Sequence, residues 1–180
     1  MNKSFQKIYF DPYIFFSLFL LSTLGLFFLF SASNADVTIV SKQFVYVIAG
    51  FIIMILVSQL DPDIFRRMSG LFLFFALILL GITYLFGPEI NGAQRWVRVG
   101  PFSFQSSELL KLAVPIFLAN FLFDKKLPIQ KKEITISLLI IFSCFGFVFR
   151  QPDLGTGLII ACSGLFVLFL SGLSWSFIGG

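Results

Sequence analysis

The sequence predicts an all-α polytopic membrane protein with about six transmembrane helices. Three observations carry that reading. Apolar residues make up 58% of the 180 positions and charged residues only 12%, against about 25% charged in soluble domains. Mean hydropathy is +0.97. The apolar residues also fall into runs of the length a bilayer requires, separated by short polar breaks. The net charge of +4 does not point to nucleic acid, because the cations are scattered through short loops rather than gathered on one face.

The N-terminal segment to Pro12 is polar and carries Lys3 and Lys7. The first span covers residues 13–33, roughly 31 Å of helix at about 1.5 Å per residue. It is too long for the apolar part of a signal peptide, and more spans follow it. Ser31-Ala32-Ser33-Asn34 ends it. The second span, 44–60, stops at Asp61-Pro62-Asp63, and Arg66-Arg67 completes a charged loop. The third, 70–86, ends at Gly87-Pro88, which does not extend a helix comfortably. A polar stretch leads into the fourth span, 105–123. Residues 124–133 form a charged loop with four lysines, and the fifth span covers 134–149. Arg150-Gln151-Pro152-Asp153 connects it to the sixth, 154–173. Trp175 and Phe177 follow, aromatics of the kind that settle at a membrane interface.

Several residue types invite a functional reading and receive a plain one. The 27 phenylalanines serve a lipid-facing surface as well as Leu or Ile would. Cys144 and Cys162 lie in apolar runs and read as small hydrophobes. Without histidine or a paired cysteine motif, a zinc or redox site has no support.

Lysine and arginine placement orients the chain. With the N-terminus inside, the inner segments hold Lys3, Lys7, Arg66, Arg67, Lys125, Lys126, Lys131 and Lys132. The outer segments hold Lys42, Arg95, Arg98 and Arg150. Eight cations against four favour a cytoplasmic N-terminus. Three of the four outward cations fall in two polar motifs, so a local reason for them is expected.

The first motif runs from Asn91 to Lys111, NGAQRWVRVGPFSFQSSELLK. Trp96 and Arg98 fit interfacial anchoring, with Trp at headgroup depth and Arg on lipid phosphate. They equally fit a compact outer turn, Asn91 to Arg95, that presents guanidinium groups to an anionic ligand, since arginine forks match phosphate oxygens. Gly100-Pro101 turns the chain back toward the membrane. Ser106 or Ser107 is the expected N-cap of the fourth span, whose dipole favours an anion at that end. Glu108 and Lys111 are spaced i,i+3 and share a face, so pairing relieves the cost of two charges within a span. The pair reads as a structural link, as the lining of a polar cavity, or as both. A carboxylate tied to a lysine makes a poor general acid. Pro115 leaves the Lys111 carbonyl without its helical donor, and a kink or loosening is expected there.

The second motif is RQPDLGTG, from Arg150 to Gly157. Asp153 reads as a helix cap or as a partner for Arg150 or an outer-loop arginine. Gly157, Ala161 and Gly164 follow at near-helical spacing, a small-residue face for close packing.

GAQRWVRVGPFSFQSSELLKLAVP, RQPDLGTG and GLFVLFLSGLSW, together with the Ser31-Ala32-Ser33 end of the first span, resemble the SEDS family of membrane-embedded cell-wall proteins over essentially the whole chain. Gln94 before Arg95-Trp96 is closer to the elongation (rod-shape) branch; a second arginine is commoner there in the division branch. The resemblance implies a peptidoglycan glycosyltransferase that polymerises lipid II, an undecaprenyl-pyrophosphate-linked disaccharide-pentapeptide, on the outer side of the cytoplasmic membrane. It implies as partners a class B penicillin-binding protein and other membrane proteins of the elongation complex. By matching motifs, Arg95, Trp96, Gln105, Ser107, Glu108, Lys111, Gln151 and Asp153 fall on the family's recurrent polar positions, with Glu108 and Lys111 as its intramembrane ion pair. No cofactor is identifiable in the sequence; a divalent cation is compatible with pyrophosphate chemistry.

Two departures qualify the resemblance. Ser106 stands where the family usually has proline, which leaves the entry turn less rigid. The family has roughly ten spans, and its proposed catalytic aspartate lies in an outer loop after the seventh, beyond residue 180. The sequence is therefore expected to be a fragment, a truncated product or half of a split protein that does not polymerise alone. A flippase for the lipid-linked precursor and an inactive membrane fragment are the competing readings. Intramembrane charge is confined to Glu108 and Lys111 near one end, which favours a one-sided site over a path through the bilayer.

Overall fold

The computed structural model describes residues 11–90, 93–100, 102–125 and 129–172. Its residues group into two compact units, 1–61 and 62–180. The expectations placed on Lys3, Lys7, Lys126, Trp175 and Phe177 lie outside the described residues, as do Asn91, Gly92 and Pro101 of the first polar motif.

The first unit is a helical hairpin. Helix α1 (Pro12–Ala32) starts where Asp11 accepts from the backbone N–H groups of Tyr13, at 2.9 Å, and Ile14. Pro12 sits at the position where a missing N–H costs nothing. A turn with Asn34 and Ala35 in left-handed conformation leads to Asp36, which caps α2 (Val37–Ser58) by accepting from Thr38 N–H at 2.8 Å. Helix α2 thus begins seven residues before the predicted span start at 44. The polar residues Thr38, Ser41 and Lys42 hid this, because an exposed first turn needs a cap rather than hydrophobicity. Lys42 accordingly lies on helix, not in a loop. The Phe15 ring near the start of α1 meets Phe51 near the end of α2 edge-on at 5.4 Å, so the two helices run antiparallel.

The second unit holds α3 (Pro62–Phe86), α4 (Ser106–Phe123), α5 (Lys131–Phe149) and α6 (Leu154–Leu170). Helix α3 also starts early, at Pro62 rather than 70. Asp63, Arg66 and Arg67 therefore occupy its first two turns, where Arg66 pairs with Asp63 at 3.4 Å and lies 4.6 Å over the Phe123 ring. Likewise, Lys131, Lys132 and Glu133 form the first turn of α5. Among the described residues, five of the six helices are long and apolar enough to cross a membrane, and α6 has 17 residues, fewer than the predicted sixth span.

Helix α4 is the hub, packed against α3, α5 and α6. Its Leu110, Ala113, Val114 and Leu118 are fully buried with Ala76, Ile141, Val148 and Ile160. The expected small-residue face of α6 is present. A Cβ on Gly164 would come within 2.7 Å of Ile141 and 3.2 Å of Leu118, and one on Gly157 within 3.2 Å of the Phe145 ring. Helix α4 runs through Pro115 without interruption.

The connection from α3 to α4 is where local structure departs most from expectation. At Gly87 a Cβ would meet the Thr83 carbonyl at 2.3 Å, so glycine is required where α3 ends. Two antiparallel ribbons follow instead of a loop. Strand β1 (Glu89–Ile90) pairs with β2 (Ala93–Gln94), and β3 (Trp96–Val99) with β4 (Phe102–Gln105). Gly100 takes a left-handed conformation, φ 61°, at the turn of the second ribbon.

Candidate functional site

The β3–β4 register decides which side chains share a face. Trp96 opposes Gln105 and Arg98 opposes Ser103 on one face, while Val97 opposes Phe104 on the other. The polar residues of the first motif are thereby sorted onto one side of the ribbon. Trp96 and Gln105 are partly buried, and Arg98 is exposed.

Helix α4 begins directly from this ribbon. Its N-cap is Gln105, without a side-chain cap, rather than Ser106 or Ser107. The serines are the first two helical residues, both fully buried, and neither hydroxyl has a hydrogen-bond partner. The expected serine cap fails because the extended β4 strand continues one residue further than a cap at Ser106 allows. Ser106 N–H instead donates to the Arg95 carbonyl at 3.4 Å, tying the helix start to the ribbon.

One turn on, the expected ion pair is formed: Lys111 Nζ donates to Glu108 Oε1 at 2.6 Å. The Glu108 side chain is 52% exposed and that of Lys111 24%. The pair thus sits at the surface of the unit rather than in its core.

The second motif meets the first. Asp153 caps α6 by accepting from Thr156 N–H at 3.2 Å, as expected. Its other carboxylate oxygen accepts from Gln105 Nε2, across 48 positions of sequence. Its long-range partner is an amide, not Arg150 or an outer-loop arginine. Gln151 is buried, 2% exposed, with its Nε2 directed at the Leu80 carbonyl at 3.4 Å and its Oε1 unpartnered. Gln151 and Arg150 close one end of an apolar cavity of about 500 Å³ against Phe74, Ile78, Gly81 and Phe147.

Arg95 is bonded to backbone on the α5–α6 connection. Its Nε donates to the Gln151 carbonyl at 2.6 Å and its Nη2 to the Pro152 carbonyl at 2.7 Å. That edge of the guanidinium is spent on backbone. The structure therefore joins Arg95, Gln105, Gln151 and Asp153 into one bonded cluster beside the start of α4. Trp96 lies on the adjoining ribbon, while Arg98 has no partner among the described residues. Among the described residues no group of three or more His, Cys, Asp or Glu is placed to hold a metal. The Gln105–Asp153 contact and the carbonyl partners of Arg95 carry no sequence signal, since both depend on closure over about fifty residues.

Comparison with known proteins gives a consistent result. The FtsW/RodA/SpoVE family model, described as "Cell cycle protein", matches residues 11–180. The chain is 37% identical over 179 residues to the peptidoglycan glycosyltransferase MrdB of Escherichia coli K12, covering 99% of this chain and 48% of that protein. Among solved structures it resembles the rod shape determining protein RodA of Thermus thermophilus, with a TM-score of 0.85 and 27% identity, covering 96% of this chain and 58% of that one. It also resembles a chain of a peptidoglycan synthase complex, with a TM-score of 0.86 and 28% identity, covering 96% and 51%. The chain spans about half the length of the curated relatives it matches. With this match along nearly its whole length, and with multiple apolar helices in the same fold, the chain belongs to the FtsW/RodA/SpoVE family of multi-pass membrane proteins.

Proposed function

We propose that the chain serves peptidoglycan glycosyl transfer, the polymerisation of lipid II into glycan strands during cell-wall elongation. The observation that carries this reading is the convergence of both polar motifs at one end of the second unit, in a chain 37% identical to a peptidoglycan glycosyltransferase. A pyrophosphate leaving group needs cations nearby, and a prenyl tail needs apolar surface beside them. Arg98 and Lys111 supply the first requirement, and the exposed apolar helix faces supply the second. Trp96 and Gln105, on the same face of the ribbon as Arg98, shape the platform between them. The proton-accepting group for the attacking hydroxyl is not assigned to a residue of this chain.

The site is read as facing outward in the cytoplasmic membrane, with the N-terminus inside. Charge supports this orientation: Arg66, Arg67, Lys125, Lys131 and Lys132 gather at the opposite end of the second unit, against Arg95, Arg98 and Arg150 at the site end. A class B penicillin-binding protein that cross-links the strands is the partner this function calls for.

Glycan synthesis from purified lipid II tests the reading. The chain is assayed alone and together with the C-terminal half of its Escherichia coli relative. Strands are expected only from the combination, and expected to vanish with Lys111→Ala. Silence in the combination, while the intact relative polymerises, would overturn the proposal. Net movement of lipid II across vesicles without polymerisation would favour the flippase reading.

A further inference from the structure

We propose that Arg95 is a positioning residue, which fixes the α5–α6 corner against the entry to α4, and that it is not an anion ligand. The Nε–Nη2 edge of a guanidinium is one of the edges with which arginine grips a phosphate side-on. In Arg95 that edge is bound to two consecutive carbonyls, of Gln151 and Pro152, at 2.6 and 2.7 Å. A phosphate taking this edge would have to displace both.

Three further links make the contact a clamp rather than a casual bond. The Arg95 carbonyl accepts from Ser106 N–H, so the backbone of Arg95 is itself held at the start of α4. Gln105, the neighbour of Ser106, donates to Asp153, and Asp153 caps α6. Gln151, whose carbonyl Arg95 holds, is buried with its side chain directed at α3. Releasing Arg95 therefore frees the corner that places both Gln151 and Asp153. Lysine cannot replace it: a single compact, strongly hydrated ammonium does not present two parallel donors. By contrast, Arg98 is exposed and unpartnered among the described residues, which leaves it as the ribbon's cation for a bound anion.

The activity arm of the test rests on the proposed polymerase function, but the spectroscopic arm does not. The chain has two tryptophans, Trp96 and Trp175, so a Trp175→Phe background leaves Trp96, beside Arg95, as the reporter. In that background Arg95→Lys is expected to red-shift Trp96 emission and increase its acrylamide quenching, with helical circular dichroism unchanged. Arg98→Lys is expected to change neither. In a polymerising preparation, Arg95→Lys is expected to lower kcat by about tenfold to a hundredfold, the cost of misplacing groups near a reacting centre, with KM little changed. Arg98→Lys should instead raise KM. An unchanged Trp96 signal in Arg95→Lys, or a raised KM with kcat intact, would overturn the assignment. Absence of polymerisation under every condition would count against the proposed function, and the Trp96 comparison would still decide the role of Arg95.

Discussion

Helices α1 and α2 contain no buried residue, whereas α3 to α6 bury a continuous set of side chains around α4. Helices α1 and α2 are more apolar than α4 and α5, so a lack of hydrophobicity does not explain the difference. In lipid, apolar side chains gain little by leaving one apolar environment for another, and helix association rests on close packing. The second unit has the means for it. Gly157, Ala161 and Gly164 let α6 approach α5 and α4, and Ala76 and Ala113 are buried without remaining exposure. The glycines of the first unit, Gly25 and Gly50, have nothing within 4 Å of where a Cβ would stand. Small residues count here by what they touch.

The sharpest way to break this contrast is to cut matching side chains from both units. Leu118→Ala, at a fully buried position, is expected to cost about 2–5 kcal/mol through lost packing. Leu21→Ala in α1, where Leu21 is 65% exposed, should cost only a few tenths. Thermal unfolding in detergent would show a large fall in Tm for the first and almost none for the second. Equal shifts would mean that the first unit is packed as tightly as the second.

Enlarging a glycine tests the same point from the other side. Gly164→Leu must displace Ile141 and Leu118, and overpacking of this kind costs about 1–3 kcal/mol. Gly25→Leu meets open space and is expected to leave Tm unchanged or raise it slightly, since leucine is the better helix former.

The Glu108–Lys111 pair separates stability from function. Glu108→Ala is expected to lower Tm less than Leu118→Ala does, because it removes no buried packing and the pair lies at the surface of the unit. Its effect on glycan synthesis should be larger, and greater than that of Glu108→Asp. Reversing both charges should restore part of the loss in a double-mutant cycle. A reversed pair no better than the single variants would argue against direct pairing as the reason for the two residues.

Helices α2 and α3 extend beyond the apolar runs that mark the predicted spans. An apolar run marks the lipid-compatible part of a helix, and the helix itself continues through Lys42 or Arg66-Arg67 once a cap or an N1 proline has begun it. The i,i+3 ion pair and the small-residue face of α6 were legible for the opposite reason. Both follow from helix period alone, and the pair closes at 2.6 Å as the spacing requires. The cap falls on Gln105 rather than on a serine because the ribbon before the helix delivers Gln105 to that position.

Sequence alone determined the class, the approximate positions of the helices, the pairing of Glu108 with Lys111 and the resemblance that led to the family. The first three depend on composition or on residues within about one helical turn of one another, and the resemblance on motifs read along the chain. Only the tertiary structure decided that Gln105 bonds Asp153, that Ser106 and Ser107 are buried, and that Arg95 grips the carbonyls of Gln151 and Pro152. Those contacts join segments 48 to 57 positions apart. Their partners are fixed by how α4 packs against α3, α5 and α6, and no local pattern encodes that packing.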